Sequence, residues 1–198
     1  MNNYINILIN KLNKKFIILF FILIIIFSLI SISHALRIAN ISALGGGIDF
    51  QFSPSVLFMD KINPYEYFLE GNSDNKIMYA QWPSYAHLTY ILFAPFTFLD
   101  WENARFLWSI INLFFAIFCV VLLSKQKKLS SHQTLLVCLI FLCSSPLRNC
   151  IGTGNQTFLI LFIFLSFFIG NCNTKNFCLG VSFITYTFSP VLIFFLYF

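Results

Sequence analysis

The acidic residues are few and unevenly placed. All seven (Asp49, Asp60, Glu66, Glu70, Asp74, Asp100 and Glu102) fall between positions 49 and 102 of a 198-residue chain. Asp49 stands apart because it follows Gly45-Gly46-Gly47. Glycines let the backbone approach a neighbour closely or adopt positive φ, so this run sets one carboxylate just beyond a long apolar segment. A carboxylate beside apolar surface holds its proton more tightly than one in water and can act as a general base. As a helix cap or a solvated loop acid it would do no chemistry. Asn63-Pro64-Tyr65 reads most simply as a turn. His34, His87 and His132 do not converge in the sequence. The six cysteines lie in or beside apolar runs and include no CxxC pair. Neither a metal, a cofactor nor a disulfide framework is therefore expected.

The elements that must position Asp49 follow from composition. The chain is 59% hydrophobic and 10% charged, against roughly 25% charged in a soluble domain. It cannot cover a globule with polar surface, so the lipid bilayer is its first expected partner. A helical crossing needs about 17–25 apolar residues. Runs near 16–33, 104–123, 129–147, 153–170 and 177–198 meet that need. The first could pass for a signal peptide with Ser33-His34-Ala35 as a weak cleavage site, but its apolar core exceeds the usual length of about 7–15 residues. It reads as a retained first helix.

Residues 85–99 are apolar but short, with Pro83 before them and Pro95 inside. Such a run lies in the interface or re-enters. With the N-terminus cytoplasmic and 85–99 not crossing, the basic residues at 11, 14, 15, 125, 127, 128 and 175 all fall inside, as the positive-inside rule requires. The same topology gathers every acid in one outer loop, 34–103, long enough to need structure or function of its own. The expected fold is all-α: a single polytopic transmembrane helical bundle in the cell membrane, with short interfacial helices in that loop. The net charge of +5 follows membrane orientation and does not point to nucleic acid. Gly45–Gly47 lacks the strand-and-helix context of a phosphate loop.

The order of motifs adds a resemblance. An Asp follows the first helix, then Asn63-Pro64-Tyr65, then Trp82-Pro83 opening the short apolar segment, then Ala94-Pro95 and an Ala104-x3-Trp108 helix start. Ser145-Pro146 and Gly154-Asn155-Gln156-Thr157 come next, then Gly180 to Pro190. Over roughly 40–198 this pattern resembles glycosyltransferase family 87. Those are GT-C-fold membrane enzymes that use polyprenyl-phosphate-linked sugars, mannose in the best-known members. The resemblance implies Asp49 as catalytic base, a polyprenyl-phosphate-linked donor, and a glycolipid or glycan acceptor at the outer face. It implies a cation for the leaving phosphate: Arg148, in the polar stretch with Asn149, Asn155 and Gln156, or Arg105. Interfacial snorkelling is the alternative for each arginine. Gln156 is a donor-sugar contact or a helix-end hydrogen bond. Tyr65 and Trp82 are substrate contacts, or a turn residue and an interfacial aromatic.

Two features depart from the family pattern. Residues 183–190 lack the lysine that many members carry before the matching proline. The chain is also shorter than GT-C enzymes, so it reads as an N-terminal part whose donor pocket a separate C-terminal half would complete. A non-catalytic membrane protein, an assembly partner or the remnant of a split enzyme is the competing expectation. A transporter would need charge within the spans, and the sequence shows little.

Overall fold

The computed structural model describes residues 2–40, 49–71, 81, 83 and 85–182. Among these every regular element is helical. Helix α1 (Asn2–Asn40) contains a stretch long and apolar enough on average to cross a membrane, Lys14–Ala39, 26 residues and about 39 Å at 1.5 Å per residue. That exceeds a hydrocarbon core of about 30 Å. Among the described side chains of α1, the buried ones form a narrow stripe, Ser28, Ser31, Ala35 and Ala39, whose spacing of three and four keeps one helical face. All four are small, so neighbouring helices approach closely.

The region expected to be one outer loop is built from short elements. α2 (Phe52–Met59), α3 (Pro64–Leu69) and α4 (His87–Phe93) are followed by a 3-10 helix, Ala94–Phe98. Asn63 caps α3 by accepting the Tyr65 N–H at 3.1 Å, and Pro64 opens the helix where no N–H is needed. The Asn-Pro-Tyr motif is thus a helix start, not an isolated turn. The buried Gln81 side chain accepts the Ser53 N–H at the head of α2, at 2.8 Å. α4 and the 3-10 helix comprise seven and five residues, too few to cross a bilayer.

α5 (Trp101–Gln126) is the second helix long and apolar enough to cross. Its buried face, Trp101, Ala104, Arg105, Trp108, Ser109, Asn112, Ala116 and Cys119, touches most of the other helices. The run expected as a span at 129–147 is bent within its length. α6 (Ser131–Leu142) ends at Cys143, and α7 (Ser145–Thr153) leaves at 63° to it. Pro146 lacks the N–H that would continue α6, and Ser144 caps the new helix by accepting the Leu147 N–H. The pair counts as one broken crossing or as a re-entrant segment. α7 continues to Thr153, so the polar stretch around Arg148 is helix, and the turn is confined to Gly154–Gln156. α8 (Thr157–Ile169) has 13 residues and α9 (Cys172–Ser182) has 11. The part of the expected 177–198 run beyond Ser182 lies outside the described residues.

α1 packs on α5, α6 and α7, and α5 packs on α8. Ser28 Oγ donates to the Leu139 carbonyl of α6 at 3.0 Å, and Gly152 of α7 sits against Ala35 and Ile38. Arg105 ties α5 to the end of α1. It is 3% exposed, its Nη2 donates to the Ile38 carbonyl at 2.7 Å, and its guanidinium lies 5.7 Å from the Trp101 ring centroid. A cation suits the last carbonyls of a helix. The arginine that the resemblance offered for a phosphate is therefore committed to holding two helices together. Arg105→Ala is expected to lower stability by about 1.5–3 kcal/mol, the worth of a charge-assisted hydrogen bond. Thermal unfolding in detergent would read this, and an unchanged midpoint would refute it.

Candidate functional site

Asp49 is held at the turn between α7 and α8. Its backbone N–H donates to the Thr153 carbonyl at 3.0 Å, and its Oδ2 accepts from Asn155 Nδ2 at 3.2 Å. The turn itself is closed by the end of α7. Gly154 takes a left-handed conformation, φ 77°. Its N–H bonds to the Ile151 carbonyl, and the Asn155 N–H reaches the Cys150 carbonyl, the paired closure of a Schellman end. Asn155 Oδ1 accepts both the N–H and the hydroxyl of Thr157. That fixes the amide so that its NH2 faces Asp49. Asp49 is half-buried, and no described residue hydrogen-bonds its Oδ1. One carboxylate oxygen is thus oriented, while the other has no hydrogen-bond donor among the described residues.

The next residue anchors this arrangement. Phe50 is fully buried, with its ring against Phe93, Phe96, Trp101 and Trp108 at centroid distances of 5.2, 5.7, 5.9 and 6.0 Å. Aromatic contacts of this kind contribute about 0.5–1.5 kcal/mol each beyond area burial. Trp108 Nε1 donates to the Gly154 carbonyl at 2.7 Å, and Asn112 Nδ2 donates to the Asn155 carbonyl at 3.0 Å. α5 therefore holds the turn through Trp108 and Asn112, while Phe50 anchors the segment bearing Asp49 against it.

The other expected site residues divide. Gln156 is fully buried in the same turn, and neither atom of its amide finds a partner among the described residues. Arg148 lies on α7, five residues before Thr153, and lines a cavity beside α1; it is not in the turn. Tyr65 is elsewhere, in an aromatic group with Phe58, His87 and Tyr90, and its hydroxyl donates to the Tyr85 carbonyl. Burial pushes the Tyr90 phenol far up, so it is no base at neutral pH. Trp82 and Gly45–Gly47 lie outside the described residues. The sequence reading missed Asn155, Asn112 and Trp108 as the supports of Asp49. Their signal was an amide at position 112 in the middle of an apolar helix, where a polar side chain needs a partner.

A profile for glycosyltransferase family 87 matches residues 84–198, more than half of the chain. The chain belongs to glycosyltransferase family 87. The match to family 87 includes Trp108, Asn112, Arg148, Gln156 and the whole α7–α8 turn. It begins after Asp49 and Tyr65, so those two are tied to the family region by contact alone, Asp49 through Thr153 and Asn155. Membership makes the chain a glycosyltransferase with a sugar donor and an acceptor. No curated protein and no solved structure matches it.

Proposed function

We propose that the chain is a GT-C-type hexosyltransferase of the cell membrane, most simply a mannosyltransferase, that takes its sugar from a polyprenyl phosphate. The acceptor is a hydroxyl of a glycolipid or glycan at the outer membrane face, with the N-terminus of the chain in the cytoplasm. The observation that carries this reading is the carboxylate of Asp49, held by Thr153 and Asn155 at a turn that belongs to the family 87 match. In the reaction the acceptor hydroxyl gives its proton to Asp49 Oδ1. The freed oxygen forms a bond to the anomeric carbon, and the carbon–oxygen bond to the phosphate breaks on the opposite face. The phosphate leaves with the bonding pair, so configuration inverts. The general base contributes by removing the proton as the bond forms.

Arg148 is proposed for the phosphate. It precedes Thr153 by five residues, about 7.5 Å of helix, so carboxylate and cation would sit at the two ends of one sugar residue. The buried amide of Gln156, without a partner among the described residues, is proposed to meet a sugar hydroxyl. Tyr65 and Trp82 are proposed as further substrate contacts.

The test offers purified protein in liposomes two donors carrying the same radiolabelled hexose, one on a polyprenyl phosphate and one on a nucleoside diphosphate. Label is expected to move to a glycolipid acceptor only from the lipid donor, with release of free polyprenyl phosphate. Transfer from the nucleotide sugar alone would overturn the reading.

A further inference from the structure

A cavity of about 360 Å³ opens beside the first turns of α5. Its size falls at the lower end of small-molecule pockets, roughly 300–1,000 Å³. Among the described residues, Glu102, Asn103, Arg105 and Phe106 line it. Their spacings of three and four make them neighbours on the helix surface. Arg105 is buried, whereas the other three are exposed. Asp100, just ahead of the helix, accepts from Asn103 Nδ2. That bond fixes the amide. No described residue hydrogen-bonds its Oδ1 or the Glu102 carboxylate.

A carboxylate in the first turn stabilises a helix by itself. That accounts for Glu102, but not for the amide and the ring gathered around the same cavity. The mixture of groups selects the occupant. A phosphate would face the Glu102 carboxylate, and a metal ion would face the Arg105 guanidinium. Hydrocarbon would strip water from both charges without replacing it. A neutral polyhydroxy molecule meets none of these costs. Its hydroxyls donate to the carboxylate and to the amide oxygen. A pyranose ring also has an apolar C–H face, which matches the exposed Phe106 ring.

The cavity shares one end of the bundle with Asp49. The Ile38 carbonyl accepts from Arg105, and the Ile38 side chain lies against Gly152. Gly152 precedes Thr153, whose carbonyl holds the Asp49 N–H. The two places are nevertheless distinct. Trp108 and Asn112, on the buried face of α5, hold the Asp49 turn. Glu102, Asn103 and Phe106 lie on its exposed flank. A sugar in the cavity is therefore not the one whose hydroxyl meets Asp49.

We infer that this cavity is a second carbohydrate site, which holds a neutral sugar residue of the acceptor glycan next to the residue that reacts. Glu102 and Asn103 take its hydroxyls, and Phe106 takes the C–H face of its ring. The inference rests on the glycan-acceptor part of the reading above, but it is tested by binding, not turnover.

The probe is a mannobioside bearing a diazirine, photolysed with the full chain in nanodiscs, with adducts mapped by mass spectrometry. Adducts are expected on residues 102–106. Glu102→Ala should lower them about tenfold, as loss of one hydrogen bond to a charged group implies. Glu102→Gln, which still accepts from a hydroxyl, should lower them less. Phe106→Ala, which leaves the carboxylate in place, should also lower them. Leu107→Ala, at an exposed position beside the cavity, should not, and neither should Asp49→Asn. Unlabelled mannobiose should compete, and inorganic phosphate and phosphoethanolamine should not. Absence of adducts at 102–106, or adducts undiminished in both Glu102→Ala and Phe106→Ala, would overturn the inference. Equal loss in Leu107→Ala would trace the effect to a disturbed helix and overturn it too. Equal competition by phosphoethanolamine would make the cavity a zwitterionic headgroup site instead. If the adducts behave as expected while no hexose moves from either donor, the transferase reading fails and the sugar site stands. Hexose transfer without these adducts sinks the site alone.

Discussion

Asp49→Asn is expected to reduce hexosyl transfer by about 10²–10⁴-fold, the usual contribution of a positioned general base. The substitution keeps size and shape. The Asn155 NH2 can still donate to the new side-chain carbonyl oxygen, and the backbone N–H bond to Thr153 is untouched. Expression and thermal midpoint should therefore stay close to those of the parent chain. That separates loss of a base from loss of fold. Asp49→Glu, which retains the carboxylate but moves it by one methylene, should recover part of the rate. A single-turnover measurement with the lipid-linked donor would read the chemical step directly. Full activity in Asp49→Asn with normal donor release would remove Asp49 from the mechanism.

Gly154→Val is expected to damage both stability and transfer. Gly154 has φ 77°, a region that costs an L-residue about 1–2 kcal/mol, and more for a β-branched side chain. Space is also missing: a Cβ at 154 would meet the Phe50 Cβ at 2.8 Å and the Phe50 nitrogen at 3.4 Å. Because the nearest contact is with the Cβ and backbone, trimming the Phe50 ring would not relieve it. Overpacking of this kind adds about 1–3 kcal/mol. The segment carrying Asp49 must then move off the turn, and a misplacement near 1 Å can cost about 10²-fold in rate. Rate should fall further than stability explains, even at temperatures where the variant stays folded. A variant with parental rate and midpoint would show that this turn does not position Asp49.

Much of the bundle was legible from hydropathy alone. Residues 104–123 lie inside α5, and 85–99 holds the short α4 and the 3-10 helix. The break between α6 and α7 was also written in the chain, as Ser144 and Pro146 inside an apolar run. A window average smooths over that signal, because both flanking pieces remain apolar. Asp49 was singled out by its glycines and its place after a helix. Its supports were not, because the bonds to Thr153 and Asn155 join positions more than a hundred residues apart in sequence. Arg148 was assigned to a polar turn from its neighbours Asn149, Asn155 and Gln156. The Schellman end at Gly154 shows why that failed: the glycine closes a helix that contains Arg148, which sends its side chain toward α1.

The broken α6–α7 pair also bears on how the chain enters its membrane during synthesis. Twelve and nine residues make about 18 and 14 Å of helix, so neither piece can partition into the bilayer as an independent stop-transfer segment. The last carbonyls of α6 are closed by the shared N–H of Cys143 and by that of Ser144, and Ser28 of α1 adds a second donor to the Leu139 carbonyl. Arg148 needs the same neighbour to shield it. α1 and α5 emerge from the ribosome first and can insert on hydrophobicity alone. They then serve as an intramolecular template on which the broken pair is threaded. Chain order in this protein is thereby also assembly order.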